Sequence, residues 1–218
     1  MSKQQRTRET ILTSSWQRCW PAFTDGNNGL HLMEKLIGAY QQEHRHYHTL
    51  QHLVECLLLF QQYIYLAVHP AEIEIALWFH DAIYEPKAQD NELKSAEWAE
   101  AELIHAHVPI DQIHRIKALI LATCHTNKPI TQDQKLLTDI DLAILAAPHP
   151  RFLEYEVQVR CEYQWVPVEI FRQKRRELLR QLLARDSIYY TPPLQLMFEK
   201  SAKKNLLYSL QYLDNTIL

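Results

Sequence analysis

The chain has 218 residues, 47% hydrophobic and 22% charged, which is enough to bury a sizeable core and ordinary for a globular protein. Its formal net charge of -3 gives no basic field that would draw a nucleic-acid polymer or an anionic membrane. The cysteines Cys19, Cys56, Cys124 and Cys161 are far apart and form no CxxC pair, so no disulfide framework is expected and the compartment reads as reducing. Cys56 and Cys124 stand in apolar runs and read as small core residues. The opening "MSKQQRTRET" lacks the apolar core of a signal peptide, and "ALILATC" is far too short to span a bilayer. A soluble, cytoplasmic protein is the expectation.

With only three glycines, tight hairpins are poorly supplied, and apolar residues recur instead at helical spacing. Ile11, Trp16 and Trp20 mark a first helix, which the turn residues of "TDGNNG" interrupt. A second runs near 30–42 on Leu30, Met33, Leu36, Ile37 and Tyr40. A third fills roughly 49–67 and opens on the histidine-rich "RHYHTLQHL". The fourth begins near Pro70, a favoured first-turn residue, and carries Ile73, Leu77, His80 and Ala82 until Pro86. Asp90 suits the cap of a fifth, with Glu92 and Leu93 in its first turn. Pro109 opens a sixth, "IDQIHRIKALILATCH". The seventh, "KLLTDIDLAILAA", follows the loop "TNKPITQD" and is stopped by Pro148 and Pro150. Two long helices and a last one after Pro192 and Pro193 complete an all-α domain of about eight to ten helices spanning 1–218.

Among twelve histidines, spacing singles out a few. His48 and His52 are four apart, on one helix face if helical geometry reaches back to His48. His80 and Asp81 are adjacent near a helix end, and His125 closes "LILATCH". Asp139 and Asp141 interrupt an apolar helix, where a buried carboxylate needs a cation or a donor. Each residue alone has an ordinary reading as packing or as a solvated face. The order His, His-Asp, Asp on separate predicted helices carries the argument. Imidazole and carboxylate without thiolate suit Mn, Fe, Co, Ni, Zn or Mg.

The motifs "HYHTLQHL", "ALWFHDAIY", "ILATCH" and "DIDLAIL", within residues 46–145, resemble the HD-domain superfamily of metal-dependent phosphohydrolases. The first is also similar to the "YHNxxH" motif of the cyclic-nucleotide phosphodiesterases, which share that helical core. The whole chain resembles a bacterial group of predicted HD phosphohydrolases of unassigned substrate, through "DNELKSA" and "RCEYQWV". The late "KSAKKNLLYSL" matches more loosely, with Lys203 where arginine is expected. The resemblance implies a helical bundle with a motif core near 46–145. It also implies a divalent metal held by His52, His80, Asp81 and Asp141, the likeness of "DLAIL" favouring Asp141 over Asp139. By the same resemblance His48 would protonate the leaving oxygen, and His125 and Asp139 would be second-metal or supporting residues.

Phosphate ester hydrolysis needs a nucleophile at neutral pH, neutralisation of phosphoryl charge and a proton for the leaving oxygen. A divalent metal serves the first two and a histidine the third. Arg45 is the natural phosphate partner, because a guanidinium grips two oxygens at once. Glu92 and Glu85 are carboxylates that could help activate water. No Gly-rich phosphate loop is present, which excludes a P-loop nucleotidase, and no aromatic-plus-basic stripe points to single-stranded nucleic acid. The expected substrate is a small phosphorylated molecule such as a nucleotide, cleaved as a monoester or diester. A homodimer is compatible with the sequence, and no membrane partner is expected. Two alternatives stand beside this reading. One is a di-iron HD-type oxygenase using His105 or His107 with His125. The other is an HD domain that binds a nucleotide without turning it over.

Overall fold

The structure, a computed structural model, describes residues 3–24, 26 and 28–215. Among them it is all-helical, with ten α-helices, three short 3₁₀ turns and no strand. The helices are α1 (Lys3–Cys19), α2 (Leu30–Ala39), α3 (Leu50–Tyr63), α4 (Pro70–Phe79), α5 (Asn91–His105), α6 (Ile110–Ala122), α7 (Gln132–Asp141), α8 (His149–Glu162), α9 (Val168–Leu183) and α10 (Pro192–Asn215). No helix is long and apolar enough to cross a membrane among the described residues. The chain divides into two compact units, one up to Ile140 and the other from Asp141 onward.

The first unit is built around α4. Every residue from Glu72 to Phe79 is buried, although the stretch contains two glutamates. Each acid is matched by a basic side chain from a neighbouring helix. Arg115 on α6 donates from Nε and Nη2 to the two Glu72 oxygens at 2.8 and 2.6 Å. Arg18 on α1 grips Glu74 with Nε at 2.9 Å and with Nη2, and the Ser15 hydroxyl donates to Glu74 Oε1 at 2.6 Å. The Trp78 indole donates to Ser15 Oγ at 3.0 Å. Its ring meets Trp16 edge-on at 5.1 Å, and Trp16 stacks on Trp20 at 5.0 Å. Charges buried without such partners would be very costly. Asp25 and Asn27 of the predicted turn after α1 lie outside the described residues. Gly29, which precedes α2, has φ of 62°, and a Cβ there would stand 2.4 Å from the Trp20 indole nitrogen.

Several boundaries differ from expectation. α3 starts at Leu50, because Thr49 caps it, its hydroxyl accepting from Gln51 N at 3.2 Å. His48 is therefore outside the helix. α4 stops at Phe79 instead of running toward Pro86, and a turn carries Asp81 to Tyr84. The motif "DNELKSA" brackets that turn. Ser95 Oγ accepts from Ile83 N at 3.0 Å, and Asn91 exchanges two 3.0 Å bonds with the Glu85 backbone. Asp90 stands at the N-cap of α5 as expected, but its carboxylate pairs with Lys94 at 3.0 Å and makes no capping bond. The seventh predicted helix divides into α7 and a 3₁₀ stretch, Leu142–Ala146. Pro150 does not end it; it stands in the first turn of α8, where its missing N–H costs nothing. Cys56 is buried, whereas Cys124 is half-exposed rather than core.

In the second unit the 3₁₀ stretch is held by side chains of its own unit. Asn205 Nδ2 donates to the Leu145 and Ala147 carbonyls, each at 2.9 Å, and the Tyr189 hydroxyl to Leu142 O at 3.0 Å. The buried Arg175 donates to Tyr155 Oη at 2.9 Å and to Glu156 at 2.6 Å.

Candidate metal centre

Position 52 lies in the first turn of α3, position 80 directly after α4, and position 141 at the last residue of α7. The first two placements bring ligand-type atoms together. His52 Nε2 and His80 Nε2 are 3.1 Å apart. Asp81 Oδ2 is 3.1 Å from His80 Nε2 and 3.5 Å from His52 Nε2. His52, Cys56 and His80 each offer an atom lying within 4.8 Å of the others. His52 and His80 are almost wholly buried, at 2% and 1% exposure.

Neighbouring groups set the ring tautomers. His80 Nδ1 is 2.8 Å from Leu77 O, and a carbonyl can only accept. Nδ1 therefore carries a proton, and Nε2 of the neutral ring presents a lone pair. His52 Nδ1 is 3.0 Å from the Tyr47 hydroxyl, which can donate or accept. If Nδ1–H of His52 donates to Tyr47, two Nε2 lone pairs face each other, an arrangement relieved by a metal ion beside them or by a proton on one ring. If instead Tyr47 donates, His52 Nε2–H can bridge to His80. The separations fit the first case well. Three atoms 3.1, 3.1 and 3.5 Å apart lie on a circle of about 1.9 Å radius, so a point about 1 Å off their plane is about 2.0–2.2 Å from each, the length of imidazole and carboxylate bonds to a transition metal. Burial alone would raise the Asp81 carboxyl, but the imidazoles of His80, His48 and His52 outweigh it and hold the group below the usual carboxylate range.

Cys56, expected from its apolar run to be a small core residue, also lies against His52. It is 2% exposed, and its Sγ is 3.7 and 3.8 Å from the two ring nitrogens of His52. The available signal was its spacing, one helical turn after His52 on α3. Asp139, two positions before Asp141 on α7, is completely buried and is not grouped with His52, Cys56 and His80. In the second unit, burial raises the Tyr155 phenol; Arg175 opposes the shift, while Glu156 and Asp141 add to it.

His48 stands beside the centre. Its ring stacks on Tyr84 at 4.1 Å, lies 6.0 Å from the His52 ring and contributes to the field on Asp81. His44 Nε2 is 2.7 Å from Tyr84 O, and His46 is exposed. Arg45 differs from the phosphate partner expected of it. It is 5% exposed, and its guanidinium donates to protein carbonyls. Glu92 accepts from the Cys124 thiol; burial, then Glu92, push that thiol up to about 11. His125 follows α6 with φ of 53° and is not grouped with His52, Cys56 and His80.

The described residues define an all-helical protein with a buried group of His52, Cys56 and His80 that could hold a metal ion. Compared with family models, with curated proteins and with solved structures, the chain finds no match.

Proposed function

We propose that the chain is a metal-dependent phosphohydrolase of the HD-domain type, acting on a small phosphorylated substrate such as a nucleotide. The observation that carries this reading is the convergence of His52 Nε2, His80 Nε2 and Asp81 Oδ2 within 3.1–3.5 Å of one another. His52, His80, Asp81 and Asp141 would hold the ion. A divalent metal there supplies a Lewis acid for phosphoryl oxygens and lowers the pKa of bound water. The Leu77 carbonyl keeps His80 Nε2 free of its proton in the neutral ring, and Tyr47 orients His52. Burial of both imidazoles limits competing water. His48, half-buried and packed on Tyr84, gives the ring proton to the leaving oxygen.

The test is a phosphatase screen of nucleotides and sugar phosphates, with Mn, Mg, Co, Ni, Zn and Fe supplied separately to the metal-stripped chain. Turnover that appears with one or more of these ions and disappears on chelation is expected. A chain that takes up the ion stoichiometrically and cleaves none of the substrates overturns the hydrolase reading.

A further inference from the structure

The turn that carries Asp81 has a physical problem. Once α4 ends, the carbonyls of Asp81 and Ala82 no longer have helical N–H partners, and they lie at the negative end of the helix dipole. The loop that leads into α3 has to meet this same place, because it delivers His48 and then His52. Arg45 answers both demands. Its Nη1 donates to Asp81 O at 2.7 Å and to His48 O at 3.0 Å, and its Nη2 donates to Ala82 O at 2.9 Å. Its Nε donates to Gln42 Oε1 at 3.1 Å, which ties the fork to its own loop. The guanidinium carbon lies 5.3 Å from the Tyr40 ring centroid and 5.4 Å from that of Tyr84, a separation suited to cation–π attraction. Tyr40 supports the same turn from behind, its hydroxyl accepting from Asp81 N and donating to Trp78 O, each at 3.3 Å.

We infer that Arg45 is the positioning residue of the metal centre. By clamping the His48 carbonyl to those of Asp81 and Ala82, it joins segments 36 residues apart in sequence and sets the distance between the His52 and His80–Asp81 halves of the ligand set. The inference rests on the metal-centre reading above. The clamp requires an arginine. Three bonds to three carbonyls use a planar fork, which a lysine ammonium, a compact point charge, cannot reproduce.

The experiment titrates the metal-stripped full chain and its Arg45→Lys and Arg45→Met variants with Co(II). It reads affinity and the visible ligand-field spectrum, with helical content from circular dichroism alongside; inorganic phosphate is titrated into the cobalt-loaded proteins. Folded variants should bind Co(II) about 10–100-fold more weakly, the range for groups that orient ligands from behind, with an altered spectrum. Arg45→Lys serves if Arg45→Met does not fold. Wild-type affinity and spectrum in a folded variant overturn the inference, whether it keeps phosphate affinity, which makes Arg45 only structural, or loses it, which makes Arg45 a phosphate contact. Failure of the wild-type chain to bind Co(II) instead removes the metal centre itself and is distinguishable from both.

Discussion

His48 and His52 are four positions apart, yet no shared helix face unites them. Thr49 caps α3 between the two, and His48 is held by its stacking on Tyr84 and by the Arg45 bond to its carbonyl. This placement leaves the His48 ring beside the metal centre. If it protonates the leaving oxygen, His48→Ala keeps Co(II) affinity but loses rate by about 10²–10⁴-fold on an alkyl phosphate. The loss is much smaller on an aryl phosphate whose phenol leaves without a proton. Steady-state rates on the two substrates check this, and an equal loss on both assigns His48 to positioning. Motif order in the sequence singled out His52, His80 and Asp81, whose side chains lie together in the structure. It did not single out Cys56, because a cysteine in an apolar run looks the same whether it packs or faces a ligand. Arg45 was read as a phosphate partner because a loop arginine next to histidines suggests an anion. That local pattern says nothing of carbonyls left over from a helix that lies far away in sequence.

At the level of elements, the segment that leads into α10 is secured by one carboxylate. Glu199 accepts from the Ile188 and Tyr189 backbone amides and from Ser187 Oγ at 3.1–3.2 Å, and it pairs with Lys203 Nζ at 3.0 Å. Burial alone would raise its pKa; Lys203 and these donors outweigh burial and lower it. A carboxyl with a lowered folded-state pKa stabilises the fold above its unfolded value, about 4.3, and loses that contribution as pH falls through the folded value. Glu199→Gln should therefore cost about 1 kcal/mol at neutral pH, at the low end for charge-assisted bonds because the group is partly solvated. Urea denaturation of both proteins at pH 7 and near pH 3 checks this, and the gap should close at the acid end. The helices themselves were visible in the periodicity, but their ends were less so. α4 stops where Arg45 and Tyr40 take over the backbone bonds, and the 3₁₀ stretch Leu142–Ala146 is held by Asn205 and Tyr189. Such long-range partners leave no local mark.

For the molecule as a whole, the proposed ligands His52, His80 and Asp81 come from segments that a disordered chain would keep far apart. An ion that binds only the folded form should therefore stabilise it. At a hundredfold excess over Kd the gain is about 2.7 kcal/mol, or about 5–10 °C in Tm for a chain of this size. Differential scanning calorimetry with Co(II), then with chelator, measures it; Asp81→Ala should melt at the same temperature with and without the ion. The all-α class followed from apolar spacing, whereas the division at Ile140 and Asp141 had no punctuation in the sequence, since it falls inside the last turn of a helix. The buried helix α4 has a further consequence. An amphipathic helix announces by its apolar stripe which side goes in. From Glu72 to Phe79 this one has no outer side, so hydrophobicity cannot choose its rotation about its own axis. The Glu72–Arg115 and Glu74–Arg18 pairs do so, like two keys cut at different angles. A helix turned by one residue, about 100°, would break both pairs and aim His80 away from His52. The two glutamates, remote from any chemistry, thus decide in which direction the histidine looks.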